Sequence, residues 1–410
     1  MNMTYLILAM LMPLGATAAE YAGLTGKIGA GANAKSVKEL RITEPGVYEN
    51  IIVDGEWGRH DLVRILAGDV VLRNCTIRYG QRDGVEVYAR NVRIENCHIH
   101  HLLNQTFKDQ KDSHGITGRP LNLVVRNTEI SHVSGDAIQF DPGRKSEPYP
   151  WDKVLVENSF LWTGPLDADY AGFRKGERPG ENAFDSKVDP KAPRATITIR
   201  NTLLKGWGHG QIGNGAALNL KEQIHAIIEN NVFVENDIAF RCRGTLGSAW
   251  VTARNNTVYQ TSRVFRLEHN VQNVKISGLA VGDGVGQVLD NAPGPGEGFE
   301  DKGRRTAPPL APWPYTNLPV GDLRPAAPAA SRPLVHGHRG ARAILPETPS
   351  KDSVTRSRRV RMRSELDIGS RKTMFLSSPM TRLSKPRFAP LRAGWCHSRT
   401  HPAGRQPVTH

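Results

Sequence analysis

Seven short segments of this chain carry one pattern at irregular intervals. They read VVLRNCTI (70–77), VRIENCHI (92–99), LVVRNTEI (123–130), VLVENSFL (154–161), ITIRNTLL (197–204), AIIENNVF (226–233) and VTARNNTV (251–258). VKISGLAV (274–281) follows, with glycine in the asparagine position. The aligned residues are Asn74, Asn96, Asn127, Asn158, Asn201, Asn230 and Asn255, separated by 22, 31, 31, 43, 29 and 25 residues. Such a recurrence constrains a fold more than composition does, because each unit repeats one local shape and stacks on the next.

Within each unit apolar and polar residues alternate, then the chain meets Asn and resumes with an apolar residue. Alternation marks a strand with one buried face. Asparagine accepts left-handed backbone, and its amide bonds to the backbone of a tight turn. The recurring Asn turns are expected to stack over one another as an internal ladder. Long amphipathic helices have little support. A period of 22–25 residues with insertions therefore predicts an all-β chain, a right-handed parallel β-helix over about residues 40–285. A β-sandwich of short strands is the competing reading. Cys75 and Cys97 occupy one position in successive coils, where either a disulfide or a pair of buried thiols fits.

A second strand follows each Asn unit: GVEVY (84–88), GITGR (115–119), AIQFD (137–141), AFDSK (183–187), ALNLK (217–221), AFRCR (239–243) and VFRLE (264–268). Their outward positions form two columns. One is Glu86, Thr117, Gln139, Asp185, Asn219, Arg241 and Arg266; the other is Tyr88, Arg119, Asp141, Lys187, Lys221, Arg243 and Glu268. A stripe rich in cations with a few carboxylates suits an extended anionic polymer. Long insertions at 100–112 and 162–180 flank it, the second carrying Trp162 and Tyr170. Long loops with their own aromatic and charged residues are more often functional than short ones. His98, His100, His101, His114 and His132 are read as falling on different faces and loops, which argues against a common metal site.

The Asn-turn units resemble the pectate-lyase-like right-handed β-helix superfamily. That resemblance implies an acidic polysaccharide or other glycan as partner, and most directly a polysaccharide lyase acting by β-elimination. In such lyases a Lys or Arg on the outer sheet removes the proton beside a uronate carboxylate, while calcium or a cationic side chain neutralises that carboxylate. GENAFDSK (180–187) is similar to the Asp-x-Lys strands of some calcium-dependent members. The resemblance makes Lys187 the candidate base, helped toward its neutral form by the cations Lys221 and Arg243. Arg119, Lys221, Arg241, Arg243, Trp162 and Tyr170 are the candidate substrate contacts. Asp185, Asp141 and Asp136 are the candidate Ca²⁺ ligands, since hard oxygen donors suit that ion. The same fold also serves glycan-binding and surface proteins without catalysis, and in that reading Asp185 and Lys187 belong to a salt-bridged ladder.

At the start, an apolar run from Tyr5 to Leu14 is followed by Ala16-Thr17-Ala18-Ala19, which reads as a secretory leader over 1–19. The expected setting is periplasmic or extracellular, with no membrane span and a monomeric chain. The net charge of +14 comes almost wholly from the end: residues 326–410 hold 17 of the 54 basic and 4 of the 40 acidic residues, leaving 37 and 36 elsewhere. A near-neutral body argues against a nucleic-acid partner. The domain reading is thus 20–293 for the β-helix, 294–332 for a Pro-rich linker and 333–410 for a basic, core-poor tail expected to be disordered. Within that tail HGHRGARAILPE (336–347) and Glu365–Asp367 resemble the opening of a glycerophosphodiester phosphodiesterase, with His338 as its catalytic histidine and Glu347, Glu365 and Asp367 as its metal ligands. The resemblance then stops, as it would in a frameshifted fragment.

Overall fold

The computed structural model describes residue 24 and residues 28–310, apart from 141, 143–149, 209, 210, 212, 214 and 293. By contacts the chain divides into Met1–Arg332 and Pro333–His410, and every described residue belongs to the first unit. The leader at 1–19 and the phosphodiesterase-like motif of the tail lie outside the described residues.

Each coil contributes one strand to each of three sheets, of 11, 10 and 10 strands, and among the described residues every pairing along them is parallel. The first sheet runs from Lys35–Val37 to Arg305–Thr306, the second from Leu40–Ile42 to Gln287–Asp290, and the third from Gly46–Glu49 to Phe299–Lys302. The fold is a right-handed parallel β-helix. Among the described residues no helix is long and apolar enough to cross a membrane.

The seven aligned asparagines all turn the chain from the third sheet to the first, with φ between +47° and +55°. Gly278, which takes their place in the eighth unit, has φ +64°. Asparagine pays less than most side chains for that left-handed conformation, which explains its recurrence. Asn96 donates to Asn74 at 3.2 Å and Asn127 to Asn96 at 2.7 Å. The internal ladder, however, is built one residue later than the sequence reading placed it. The amide of Thr128 donates to Ser159 Oγ, Ser159 to Thr202 Oγ1, Thr202 to Asn231 Oδ1 and Asn231 to Asn256 Oδ1, over 3.0–3.4 Å. These side chains point inward and are fully buried, so each must find a partner in the neighbouring coil. Asn231→Ala removes the acceptor of Thr202 and the donor to the Ile199 carbonyl. We expect a loss of roughly 1–3 kcal/mol, read as a lower urea midpoint. An unchanged midpoint would count against the ladder as a source of stability.

The core is the alternating inward set, including Val85 and Val87, Ile138 and Phe140, Phe184, Leu218 and Leu220, and Phe240. Cys75 and Cys97 are buried free thiols, which settles the choice between disulfide and thiols. The coils also run further than composition indicates. Phe299–Lys302 and Arg305–Thr306 lie in the Pro-rich segment, yet Phe299 pairs with Val274 and its ring sits 5.5 Å from Phe265. On the outside of the first sheet, Leu24, Ile28 and Ala307 cover an apolar stripe of Phe160, Leu203 and Val232.

Candidate active site on the second sheet

The outward column of the second sheet is aligned residue by residue: Glu86 with Thr117, Gln139 with Asp185, Asp185 with Asn219, Asn219 with Arg241, and Arg241 with Arg266. Inward Ser186 locks the next column. Its Oγ donates to the Lys221 carbonyl and accepts from the Lys221 amide, both at 2.8 Å, which fixes Lys187 beside Lys221.

The walls come from loops that all leave the first sheet for the second. Residues 103–115 and 163–183 pack on one another through a small core of Leu103, Leu166 and Phe173, with Phe107 at its edge. Thr163 Oγ1 donates to the Pro179 carbonyl at 2.6 Å and closes the long loop. At Gly180, φ is +107° and an added Cβ would stand 3.0 Å from both the Val133 carbonyl and the Trp207 ring. Only glycine lets the chain turn down at this point into Glu181, Asn182 and Asp185.

The result is a cleft of about 250 Å³ with Asp112, Glu181 and Asn182 on its loop side and Asp185, Lys187, Asn219, Lys221, Arg241 and Arg243 on its sheet side. Asp185 is buried, and its two oxygens lie 2.9 and 3.0 Å from Lys221 Nζ. Lys187 Nζ is 3.9 Å from Asp185, with 36% of its side chain exposed against 13% for Lys221. Burial pushes the Asp185 carboxyl above its usual range, against the pull of Lys221, Lys187 and Arg243. Burial also raises Glu181 to about 7, with Asp112 and Asp185 adding to the effect. Arg241, Arg243 and Arg266 converge on buried Glu268 at 3.0, 3.2 and 2.7 Å.

Behind the floor, Asp136 Oδ1 accepts from the amide of Asn182 at 3.1 Å and from its side chain at 2.7 Å. Burial, with Asp185 and Glu181 nearby, holds Asp136 well above the carboxylate range. His114 stands beside it, accepting from the Asp136 amide at 3.0 Å, with Nε2 2.7 Å from Gln139.

Of the residues singled out from sequence, Lys187, Asp185, Lys221, Arg241 and Arg243 meet in this cleft. Asp141 lies outside the described residues. Asp136, read as a calcium ligand, is buried against Asn182 and supports the floor from beneath. Trp162 and Tyr170 do not line the cleft. Trp162 donates to Glu129 at 2.7 Å and packs on His132, while Tyr170 sits 4.5 Å from the His101 ring. Arg119 lies apart from the cleft as well, its guanidinium 5.4 Å from the Tyr88 ring centre. The histidines need the opposite correction. His98, His100, His101 and His132 share the outside of the first sheet, and only His114 stands apart from them, behind the cleft. Sequence reading passed over Glu181, Asn182, Asn219 and Asp112. Asn219 was visible in the outward column, whereas the loop residues have no periodic signal.

Of the residues read as calcium ligands, the two that are described, Asp185 and Asp136, do not fit that role. Both Asp185 oxygens face Lys221, and Asp136 Oδ1 is held by Asn182. Among the described residues the trio of acids with ligand atoms within 4.8 Å of one another is Asp61, Asp83 and Glu86, and it is bridged by Arg64 and Arg82.

Residues 51–147 match the family described as right handed beta helix region. No curated protein sequence matches the chain. Among solved structures, an alginate lyase from Paenibacillus sp. strain FPU-7 is 14% identical, with a TM-score of 0.44, covering 67% of this chain and 88% of that one. A pectate lyase is 13% identical, with a TM-score of 0.37 and coverage of 64% and 65%. A surface adhesin of Streptococcus pneumoniae is also 13% identical, with a TM-score of 0.29 and coverage of 70% and 86%. These likenesses are ones of fold.

Proposed function

We propose that this is an exported, carbohydrate-active β-helix protein, a polysaccharide lyase that cleaves a uronate-containing chain by β-elimination. The observation that carries the reading is the placement of Lys187. It is a half-exposed amine facing a cleft that holds three further cations on one side and a raised carboxyl, Glu181, on the other. In this reading the Lys187 amine takes the proton beside the uronate carboxylate. Arg243 and Lys221 offset the charge that develops on that carboxylate. The C–H electron pair forms the double bond, the glycosidic C–O bond breaks, and protonated Glu181 gives its proton to the leaving oxygen. No step is assigned to calcium, because Asp185 and Asp136 are already engaged.

A glycan-binding protein without catalysis is the second reading. It is favoured by the pairing of the cleft's cations, Lys221 with Asp185 and both Arg241 and Arg243 with Glu268. A screen against pectate, alginate and glycosaminoglycans, following absorbance of the unsaturated product, separates the two. Retention of a polymer with no product from any of them would move the assignment to binding.

The Glu181 role carries a pH signature. Its carboxyl is raised to about 7, so it holds a proton below that value and loses it above. The turnover rate is therefore expected to fall as pH rises through about 7. Glu181→Gln should lower the rate and remove that limb of the profile. An unchanged profile in the variant would take Glu181 out of the mechanism.

A further inference from the structure

The outside of the first sheet carries a row of imidazoles that the cleft does not use. His100 Nδ1 and His101 Nδ1 stand 2.7 Å apart. The His98 ring lies 4.0 Å from His100, and the His132 ring 4.9 Å from His101. His98 Nδ1, His101 Nε2 and His132 Nδ1 are buried without a hydrogen-bond partner. Buried polar atoms are nearly always satisfied, so three orphans in one cluster require a reason. Tyr79, His101 and His132 occupy equivalent places in successive coils, and all are left-handed, with φ of +56°, +55° and +51°. Gly206, Glu235 and Gln260 are left-handed at the same corner of later coils, so this turn belongs to the coil and sets His101 and His132 on one face.

The nearest carboxylate to the row, Glu129, is 3.9 Å from His98 and bonded to Trp162. Neutral imidazole is the form that ligates metals.

We propose that His100 and His101 bind a transition-metal ion of the zinc, nickel or copper class, with His98 or His132 turning in as the third ligand. Imidazole donors suit these ions rather than calcium or magnesium. An ion at about 2.0–2.1 Å from each nitrogen in tetrahedral geometry holds them roughly 3.3 Å apart, so the pair opens by roughly 0.6 Å on binding. Among the described residues no third ligand atom lies within 4.8 Å of both nitrogens at rest, so a flanking ring must move. Tyr170, 4.5 Å from the His101 ring, ties the site to the loop over 163–183.

The test is zinc titration of the untagged full chain by calorimetry, beside the His100→Gln, His101→Gln double variant. The wild type is expected to bind one more equivalent than the variant, and to give a cobalt(II) visible band that the variant lacks. Equal stoichiometry and equal cobalt spectra would overturn the proposal. If the variant does not fold, the wild type decides. Its melting temperature should rise with zinc and return with a chelator, because an ion that binds only the folded state stabilises it. A melting temperature indifferent to zinc overturns the site.

Discussion

Lys187→Ala is expected to abolish product formation while leaving the fold intact. The side chain is 36% exposed, and its nearest charged partner, Asp185, is 3.9 Å away and already bonded to Lys221. The structural bond made by this residue is through its backbone: its carbonyl accepts from Trp151 Nε1 at 2.8 Å, which alanine preserves. Stability should therefore change by no more than roughly 0.5 kcal/mol. Loss of a positioned base lowers rate by roughly 10²–10⁴-fold. Lys187→Arg should be impaired nearly as much, because a guanidinium stays charged and does not accept the proton. The measurement is initial rate on whichever polyuronate the screen finds active, with thermal melting as the folding control. Wild-type rates from the alanine variant would sink the lyase mechanism and leave binding as the better reading.

Phe240→Ala is expected to have the largest effect on stability. The ring is fully buried between Phe233 at 4.7 Å and Phe265 at 4.9 Å. Removing such a side chain costs about 3–5 kcal/mol, from lost transfer and from the cavity left behind. Phe240 also pairs with Leu218, next to the strand position that presents Asn219 to the cleft. Coils contact only their neighbours, so damage in one is felt mainly by the next. The urea midpoint and the activity at low denaturant should thus decline together. A variant with a wild-type midpoint would show that the aromatic stack is dispensable.

The strand registers were readable because alternation is imposed by burial. Val85, Ile138, Phe184, Leu218, Phe240 and Phe265 face inward, and that fixes Glu86, Gln139, Asp185, Asn219, Arg241 and Arg266 outward. The Asn corners were readable because a left-handed turn restricts residue choice. What periodicity does not record is where a loop returns. Tyr170 and Trp162 looked like cleft residues because their loop leads into Asp185, yet Trp162 ends a strand of the first sheet and the loop's small core carries Tyr170 to that sheet as well. His101 and His132 were read as lying on different faces and loops, although each stands five residues after an aligned asparagine, Asn96 and Asn127, and so shares one place in neighbouring coils. Asp136 was read as a calcium ligand because its partner, Asn182 from 46 residues away, is not visible in the repeat.

The insertions that wall the cleft, at 103–115 and 163–183, depart from the same corner of the solenoid, with one coil of short connection, 134–137, between them. The sheets beneath them do not depend on loop length, since each rung is held by its own ladder bonds and inward side chains. Recognition can therefore be rewritten without refolding the scaffold. Exchanging or shortening one of these insertions alters a wall of the groove while Lys187 and Lys221 stay in place, so under the proposed function diversification of the polymer bound is open to single recombination events at one edge of the solenoid.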